Sequence, residues 1–508
     1  MTGLPDWLEA LPDAEQQRAT DQWAIETRSI PGLDLMERAG SGLTELVCER
    51  VPDGPVVVIC GKGNNGGDGL VVARQLRARG RQTAVLLLAD PGEYRGDAAA
   101  NLERLLGPPP RAFTAAALSG AACVVDAILG TGFSGEPREP VAGAIDAVNA
   151  AGAAGAVVIA CDVPSGVDAS TGRASGPAVR AAATGSFDAG KPGLWIHPGK
   201  ALAGDVTVIE IGIPAGAPVH PSAGLIDAGV LQSLPRRDRA STKFAAGNVL
   251  VCGGSLGLTG APCLSCEAAM RAGAGYVTAL IPASLNIVFE ITLLEVMTVP
   301  LPDDGGALQP AGMVAVLERS ERADALVLGP GLGRAPESQR FAREVAAAAT
   351  VPLLLDADGL NAHAGALDDL AGRQAPTVIT PHNGELARLL EIDSAAVAAA
   401  RLRCAREAAR RAHAVVVLKG DDTIVAEPEG RVAISRGGAP ALATAGTGDV
   451  LSGVAGAFLA QGVAPFTAAC AAVHLHLRAG QLAAQAIGAE GVIARDVIAA
   501  LASARAGG

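Results

Sequence analysis

Positive charge is in short supply in this sequence. Its 508 residues hold 40 lysines and arginines against 52 aspartates and glutamates, a net charge of −12. That balance argues against a nucleic-acid surface as the main business of the chain. Long stretches of large apolar side chains are also missing, so no membrane-spanning helix is expected. The first residues, MTGLPDWLEALPDAEQQ, lack a basic segment followed by an apolar core and do not read as a secretory signal. Cysteine is sparse and odd in number, with nine residues scattered singly apart from Cys263 and Cys266. That pair has no second Cys-x-x-Cys and no histidine at metal spacing, and it sits in a small-residue helical run. Both are therefore assigned to the core and not to zinc or redox chemistry. A reducing, cytoplasmic setting follows.

What is present is apolar and glycine-rich: 49% hydrophobic residues, 18% charged, and 64 glycines. The composition is that of ordered domains, and the length exceeds what one hydrophobic core fills. Residues 14–50 read as helical, broken at Pro31 and Gly32. Short apolar strands then alternate with helices. The strands are placed at 56–60, 83–88, 123–126, 156–161 and 206–211, with helices at 69–79 and 141–151 between them. After the Pro/Gly-rich stretch 212–224 the alternation restarts, with strands at 248–252, 276–281, 325–328, 353–356, 377–380 and 415–419. Two glycine-rich helices, 449–461 and 466–487, follow. Alternation of this kind predicts parallel sheets covered by helices on both faces. The expected architecture is two tandem three-layer α/β domains, 1–213 and 225–508, joined by a linker at 214–224.

In the first domain a strand runs into GKGNNGGDG (61–69). The first six residues satisfy the G-x-G-x-x-G pattern of a dinucleotide-binding loop. Asp90, at the end of the next strand, lies too far along for the usual ribose-binding carboxylate. The Asn-Asn-Gly-Gly-Asp segment is also more polar than a pyrophosphate wrap requires, and suits sugar hydroxyls and a cation. Two later strands end in Asp126, before AILGTGFSGE, and Asp162, before VPSGVD. Loops at the carboxyl ends of such strands converge on one crevice, so Asn65, Asp126 and Ser165 are candidate oxygen donors to a hard alkali cation. Each could equally be a turn-former or helix cap.

In the second domain ATAGTGDVLSG (443–453) is the strongest motif. A glycine turn opening a helix aims the free N–H groups of Gly446, Thr447 and Gly448, with the positive end of the helix dipole, at a phosphate. Asp449 in the first turn is placed to take a proton from a hydroxyl set against that phosphate; its alternative role is a helix cap. No G-K-[ST] follows, so this is not a P-loop. Other strand ends supply LGPGLGR (328–334), Asp356, Asp358 and Asn361, then His382 and Glu385, then Lys419 and Thr423. His382 is favoured as a substrate contact, whereas His474 and His476 read as core.

GKGNNGGDG, DAILGTGFSG, DVPSGVD and KPGLWIHPGK (191–200), preceded by LMERAG (35–40), resemble the NAD(P)H-hydrate epimerase family over residues 10–212. The resemblance implies a Rossmann-like open sheet. It implies that Asn64, Asn65, Gly66, Gly67 and Asp68 line the hydrate site, with Gly130, Thr131, Gly132, Phe133, Ser134, Gly135 and Glu136. It further implies that Asp162 contacts substrate and that Asn65, Asp126 and Ser165 hold potassium. Inverting a hydroxyl-bearing carbon beside a ring nitrogen requires an acid/base, for which Asp162 is the candidate.

GTGD together with GGSLGLTGAPCLS, LGPGLG, DADGLN, TPHNGE and KGDDT is similar to the ADP-dependent NAD(P)H-hydrate dehydratases, a branch of the ribokinase superfamily, over residues 225–505. Carried over by motif, Ala261, Gly333, His382 and Asp449 would contact the hydrate. Lys419, Gly420, Asp421, Asp422 and Thr423, with Ala439 and with Ala445, Gly446, Thr447 and Gly448, would contact the nucleotide and its magnesium. Asp449 would be catalytic. Asn383 stands where the family usually has proline, and Asp421 and Asp422 bring carboxylates near the expected phosphates, which would weaken nucleotide binding.

Together the halves imply a metabolite-repair enzyme that epimerises the hydrates NADHX and NADPHX and dehydrates the S epimer with ADP, yielding AMP and phosphate. A homo-oligomer acting on small molecules, without nucleic acid or membrane, is expected. The rivals are a Rossmann oxidoreductase, for which no hydride-transfer site is found, and a ribokinase-like small-molecule kinase fused to a non-catalytic nucleotide-binding module.

Overall fold

The computed structural model describes residues 3–506 apart from 238 and 240. Two compact units emerge, one comprising Met1–Leu4 with Ala10–Gly224, the other Pro5–Glu9 with Leu225–Gly508. Both are α/β, as the alternation predicts. No described helix is long and apolar enough to cross a membrane.

The first unit is built on seven strands, all parallel. Their spatial order is Arg111–Ala112, Thr83–Leu87, Val56–Cys60, Cys123–Ala127, Val157–Cys161, Ala183–Phe187 and Asp205–Ile209. Side chains on a strand alternate between faces, and the two cores follow that period. Val56, Val58 and Cys60 pack with the helices Gly32–Arg50 and Asn64–Ala78, while Val57 and Ile59 pack with Val141–Ala153 on the other face. Burial on both faces is why the strands are continuous apolar runs. The order reverses between Val56–Cys60 and Cys123–Ala127, which leaves a crevice beyond their carboxyl ends. Register puts Asp126 beside Ile59 and Ala160, so the glycine loop, Asp126 and Asp162 emerge at one end of the sheet.

Two features differ from expectation. The helix after the first strand begins at Asn64 and not at Gly69, so the Asn-Asn-Gly-Gly-Asp segment is its opening turns. Helix propensity counts against those residues, but tertiary packing overrides it. A Cβ on Gly66 would lie 1.7 Å from the Gly61 carbonyl oxygen, and one on Gly67 would lie 2.7 Å from the Met36 sulfur. The strand Ala183–Phe187 has no apolar run to announce it. It is buried nonetheless, with Ile209 and Leu43 filling the space a side chain at Gly185 would need.

The second unit has an eleven-stranded sheet. From one edge the order is Leu8–Ala10, Ala223–Ile226, Val432–Ile434, Ile424–Ala426, Val415–Leu418, Thr377–Ile379, Leu353–Leu355, Ala325–Leu328, Asn248–Cys252, Tyr276–Pro282 and Met297–Leu301. The run from Val415 to Met297 is parallel, whereas Ile424–Ala426 and Val432–Ile434 pair antiparallel. The switch in order falls between Asn248–Cys252 and Ala325–Leu328, beside the LGPGLGR loop. Cys263 and Cys266 are buried in the helix Gly260–Arg271, and all nine cysteines are free.

Residues Pro5–Glu9 belong to this second unit. Leu8 is buried, the Trp7 ring stacks on Phe466 at 6.3 Å, the Trp7 carbonyl accepts from Asp227 N at 3.0 Å, and Glu9 pairs with Arg436. Removing residues 1–9 is therefore expected to lower the melting transition of the second unit and not that of the first. Loss of the ring pair alone should contribute roughly 0.5–1.5 kcal/mol beyond its buried area. Calorimetric scans of the truncated and full chains check this; an unchanged second transition would refute it.

Candidate active sites

At the switch point of the first sheet lies a cavity of about 820 Å³. Its wall takes Asn64, Asn65 and Asp68 from the opening of one helix, Gly130, Thr131, Gly132 and Phe133 from the loop after Asp126, and Asp162 from the next strand end. Gly66 and Gly67 are absent from the wall, and their role is the close packing described above. Ser134, Gly135 and Glu136 also fall outside the lining.

Asp162 has a positive φ of 67° and is 9% exposed. Its Oδ1 accepts from Lys191 Nζ at 2.7 Å and Phe187 N at 3.3 Å. Its Oδ2 accepts from Thr131 N at 3.2 Å and from the Thr131 hydroxyl. Lys191 is 0% exposed and also donates to Phe187 O at 2.8 Å and Ser186 Oγ at 3.1 Å. Burial opposes the charge, but Lys191 and these donors hold Asp162 below the usual carboxylate range. A carboxylate offers about four lone-pair sites, and here all four are taken. Asp162 is thus an anchored anion, poorly fitted to carry a proton.

Two aspartates on the same wall behave differently. Burial pushes Asp68 well above its ordinary pKa, and the nearby charges of Asp162 and Asp21 push the same way. Asp21 is also raised by burial, although Gln17 donates to it at 3.0 Å. Neither Lys191 nor Asp21 stands in a motif that the sequence marks as a site. Lys191 does open KPGLWIHPGK, one of the segments that carry the family resemblance, but its burial beside Asp162 is set by the fold.

Asp126 is 0% exposed; Ser165 Oγ donates to its Oδ1 at 2.6 Å and Ser165 N to its Oδ2 at 2.8 Å. Burial raises it to about 6 against those hydrogen bonds, and no cationic side chain offsets its charge. Beside the same crevice, both amide atoms of Asn65 are buried without a partner. Gly130 approaches so closely that a Cβ there would be 3.0 Å from Asn65 Cγ.

In the second unit a cavity of about 260 Å³ is lined by Lys419, Gly420, Asp421, Thr423, Ala439, Thr447, Gly448 and His476, with apolar walls from Leu442, Leu451 and Val473. Gly446 caps the helix Thr447–Ala460 with φ 88°, a left-handed geometry that favours glycine. Ala445, Gly446 and Asp422 are not on the wall. Asp422 is instead buried against Arg401, whose Nε lies 2.9 Å away. Arg401 also donates to Asn383 Oδ1 and to the Leu418 and Lys419 carbonyls. Of the two charges expected to repel phosphate, that of Asp422 is neutralised, whereas Asp421 stays on the cavity wall and accepts from Gly438 N at 2.7 Å; the asparagine in the proline position has a specific partner.

Beside this cavity, Lys419 Nζ pairs with Asp356 at 2.9 Å and lies 3.7 Å from Glu385. Asp356 also accepts from Ser452 at 2.7 Å and Thr380 at 2.8 Å. Asp449 is raised to about 7, first by burial and then by Asp356, with Lys419 opposing. Gly333 N donates to Asp358 at 3.0 Å, and a Cβ on Gly331 would lie 3.3 Å from Ala261; Ala261, Gly333, His382 and Asp449 are not among the residues lining the cavity of about 260 Å³. His382 caps the helix Asn383–Leu390: its Nδ1 accepts from Gly384 N at 2.9 Å and Glu385 N at 3.2 Å. That leaves its Nε2 as the donor. His476 is buried, as expected, but borders the cavity.

A family model described as NAD(P)H-hydrate dehydratase matches residues 249–502, and one described as YjeF-related protein N-terminus matches residues 32–193. The bifunctional NAD(P)H-hydrate repair enzyme of Moorella thermoacetica is 41% identical, covering 96% of this chain and 95% of that protein. The enzyme of the same name from Salinibacter ruber is 40% identical, covering 94% and 92%. That of Escherichia coli is 34% identical, covering 96% and 92%.

Proposed function

The chain belongs to the family of bifunctional NAD(P)H-hydrate repair enzymes, and from that premise we propose how its residues divide the work. It is an epimerase and a dehydratase of NAD(P)H hydrates on one polypeptide. The first unit interconverts the R and S hydrates in the cavity between Asp68 and Asp162. The second takes the S epimer and ADP.

The observation that carries the dehydratase assignment is the place of Asp449, a carboxyl group raised to about 7, in the first turn of a helix whose Thr447 and Gly448 border a cavity. Asp449 removes the proton of the hydrate's hydroxyl, and the oxygen attacks the terminal phosphoryl of ADP. The backbone amides of Thr447 and Gly448 face the charge on the transferring group. AMP departs. The ring nitrogen then expels the new phosphate ester, and loss of a proton from the adjacent carbon restores the dihydronicotinamide. Lys419 neutralises Asp356 and steadies the nucleotide loop. Magnesium arriving with the nucleotide would supply further charge neutralisation.

In the first unit, potassium suits a donor set of one carboxylate (Asp126), an amide oxygen (Asn65) and a hydroxyl (Ser165). The buried, uncompensated charge of Asp126 and the orphaned amide of Asn65 are what a bound cation would satisfy. It would supply a fixed positive charge that braces the Gly130–Phe133 loop. Nine free cysteines fit a reducing cytoplasm.

Incubating the protein with hydrated NADH and ADP should return the near-ultraviolet absorbance of the reduced nicotinamide. Both epimers should be consumed. If neither is, the reading fails. Epimerisation should also rise with added potassium in the parent, and Asp126→Ala should lose that dependence while dehydrating the S epimer at the parent rate. A parent epimerase indifferent to potassium removes the cation from the account.

A further inference from the structure

Inversion needs a group that can carry a proton, and the residue expected to supply it, Asp162, has no lone pair to spare. Asp68 does. It lines the same cavity at 8% exposure and accepts no hydrogen bond from any described residue. Its neighbours are Asp21 and Asp162 on the acidic side and Lys191 on the basic side, with the thiols of Cys60 and Cys161 behind it. Lys191 is committed to Asp162. The other cations of the wall, Arg18 and Lys62, are exposed, and Lys62 is paired with Glu93 at 2.8 Å. Among the described side chains, the wall around Asp68 therefore carries carboxyl groups and no unpaired buried cation.

Two routes can invert a carbon bearing a hydroxyl and a ring nitrogen. In one the carbon–nitrogen bond opens to an aldehyde and recloses, and the oxygen stays on carbon. In the other the carbon–oxygen bond breaks, leaving a cation shared between carbon and nitrogen. A buried carboxyl that gives up its proton becomes a carboxylate facing the new cation, which favours the second route. We propose that Asp68 is the proton donor of the epimerase site and that inversion passes through this cation. Its proton goes to the leaving hydroxyl, which departs as water with both electrons of the carbon–oxygen bond. The nitrogen lone pair closes the carbon–nitrogen double bond. A second water adds to the opposite face, and its surplus proton returns through cavity water to the Asp68 carboxylate. Asp162 and Lys191 act as positioning residues. The proposal rests on the epimerase reading above and names its proton donor and intermediate.

The test is epimerisation of the unlabelled hydrate by the full chain in ¹⁸O-water, followed by mass analysis of the newly formed epimer and corrected with an enzyme-free control. Each inversion should introduce one solvent oxygen. An inverted product that keeps its original oxygen overturns the cationic route. Asp68→Asn preserves shape and should leave dehydration intact, which reports on folding. Its epimerisation kcat should fall about 10²–10⁴-fold at an unchanged KM. A rise in KM alone, or a kcat within a few-fold of the parent, makes Asp68 a binding residue and overturns its assignment. A parent chain that never interconverts the epimers overturns the function reading, and this proposal with it.

Discussion

Asp449→Asn should lose dehydration by about 10²–10⁴-fold, the usual worth of a positioned general base, while binding ADP nearly as well as the parent and epimerising unchanged. The amide keeps the size of the side chain, so the helix Thr447–Ala460 and the cavity beside its N-terminus should survive. What disappears is the carboxylate that accepts the hydroxyl proton. In the parent, Asp449 is raised to about 7, so the basic form gains population as pH rises through neutrality. The dehydration rate should climb with it and level off above, a limb missing from the variant. Stability moves the other way. A carboxyl raised in the folded state contributes stability below its unfolded value and loses it as pH rises through the folded one. The variant should therefore melt no lower than the parent at pH above about 7. Calorimetry with ADP, separate assays of the two reactions and a pH profile decide it. Dehydration within a few-fold of the parent would leave Asp449 as a cap and move the base to Asp356, Asp358 or His382.

Lys191→Met should be the most damaging single change in the first unit. Lys191 is 0% exposed and its Nζ lies 2.7 Å from Asp162 Oδ1. Removing one partner of a buried pair leaves an uncompensated charge and typically costs about 3–5 kcal/mol. Because Asp162 is held below its usual range, the pair contributes stability above the ordinary carboxylate value. That contribution is lost as pH falls through the depressed folded value. The parent's first unit should therefore weaken in strong acid, and the variant should show a shallower acid slope from a lower starting stability. Asp162→Asn placed on top of Lys191→Met should recover part of the loss, since it removes the orphaned charge. Thermal scans of the four proteins of this cycle at neutral and acid pH provide the measurement. Additive effects of the two substitutions would mean that the residues do not act as a pair.

Much of the site was legible because it is locally encoded. A strand that ends in aspartate before a loop needs no distant partner to be recognised, and Asp126 and Asp162 in the first half and Asp356 in the second are such ends. The GTGD turn is local too: a left-handed residue at Gly446, then a helix that starts at Thr447. The helix from Asn64 was misplaced by five residues because glycine and asparagine disfavour helices in isolation, and only the contacts of Gly66 with Gly61 and of Gly67 with Met36 explain why they start one.

The sequence by itself determined the two α/β units, the strand ends that border the two cavities, the glycine-opened helix at Thr447 and the family. Each of these depends on periodicity or on residues adjacent in the chain. Tertiary structure alone decided the charge states. Lys191 lies 29 residues from Asp162, Arg401 lies 21 from Asp422, and Asp356 lies 96 from Ser452. Whether an aspartate is an anchored anion, as Asp162 is, or a proton carrier, as Asp68 and Asp449 are suited to be, depends on burial and on which charges the fold brings within a few ångströms. Those are properties of folded neighbours, and no local pattern of residues encodes them.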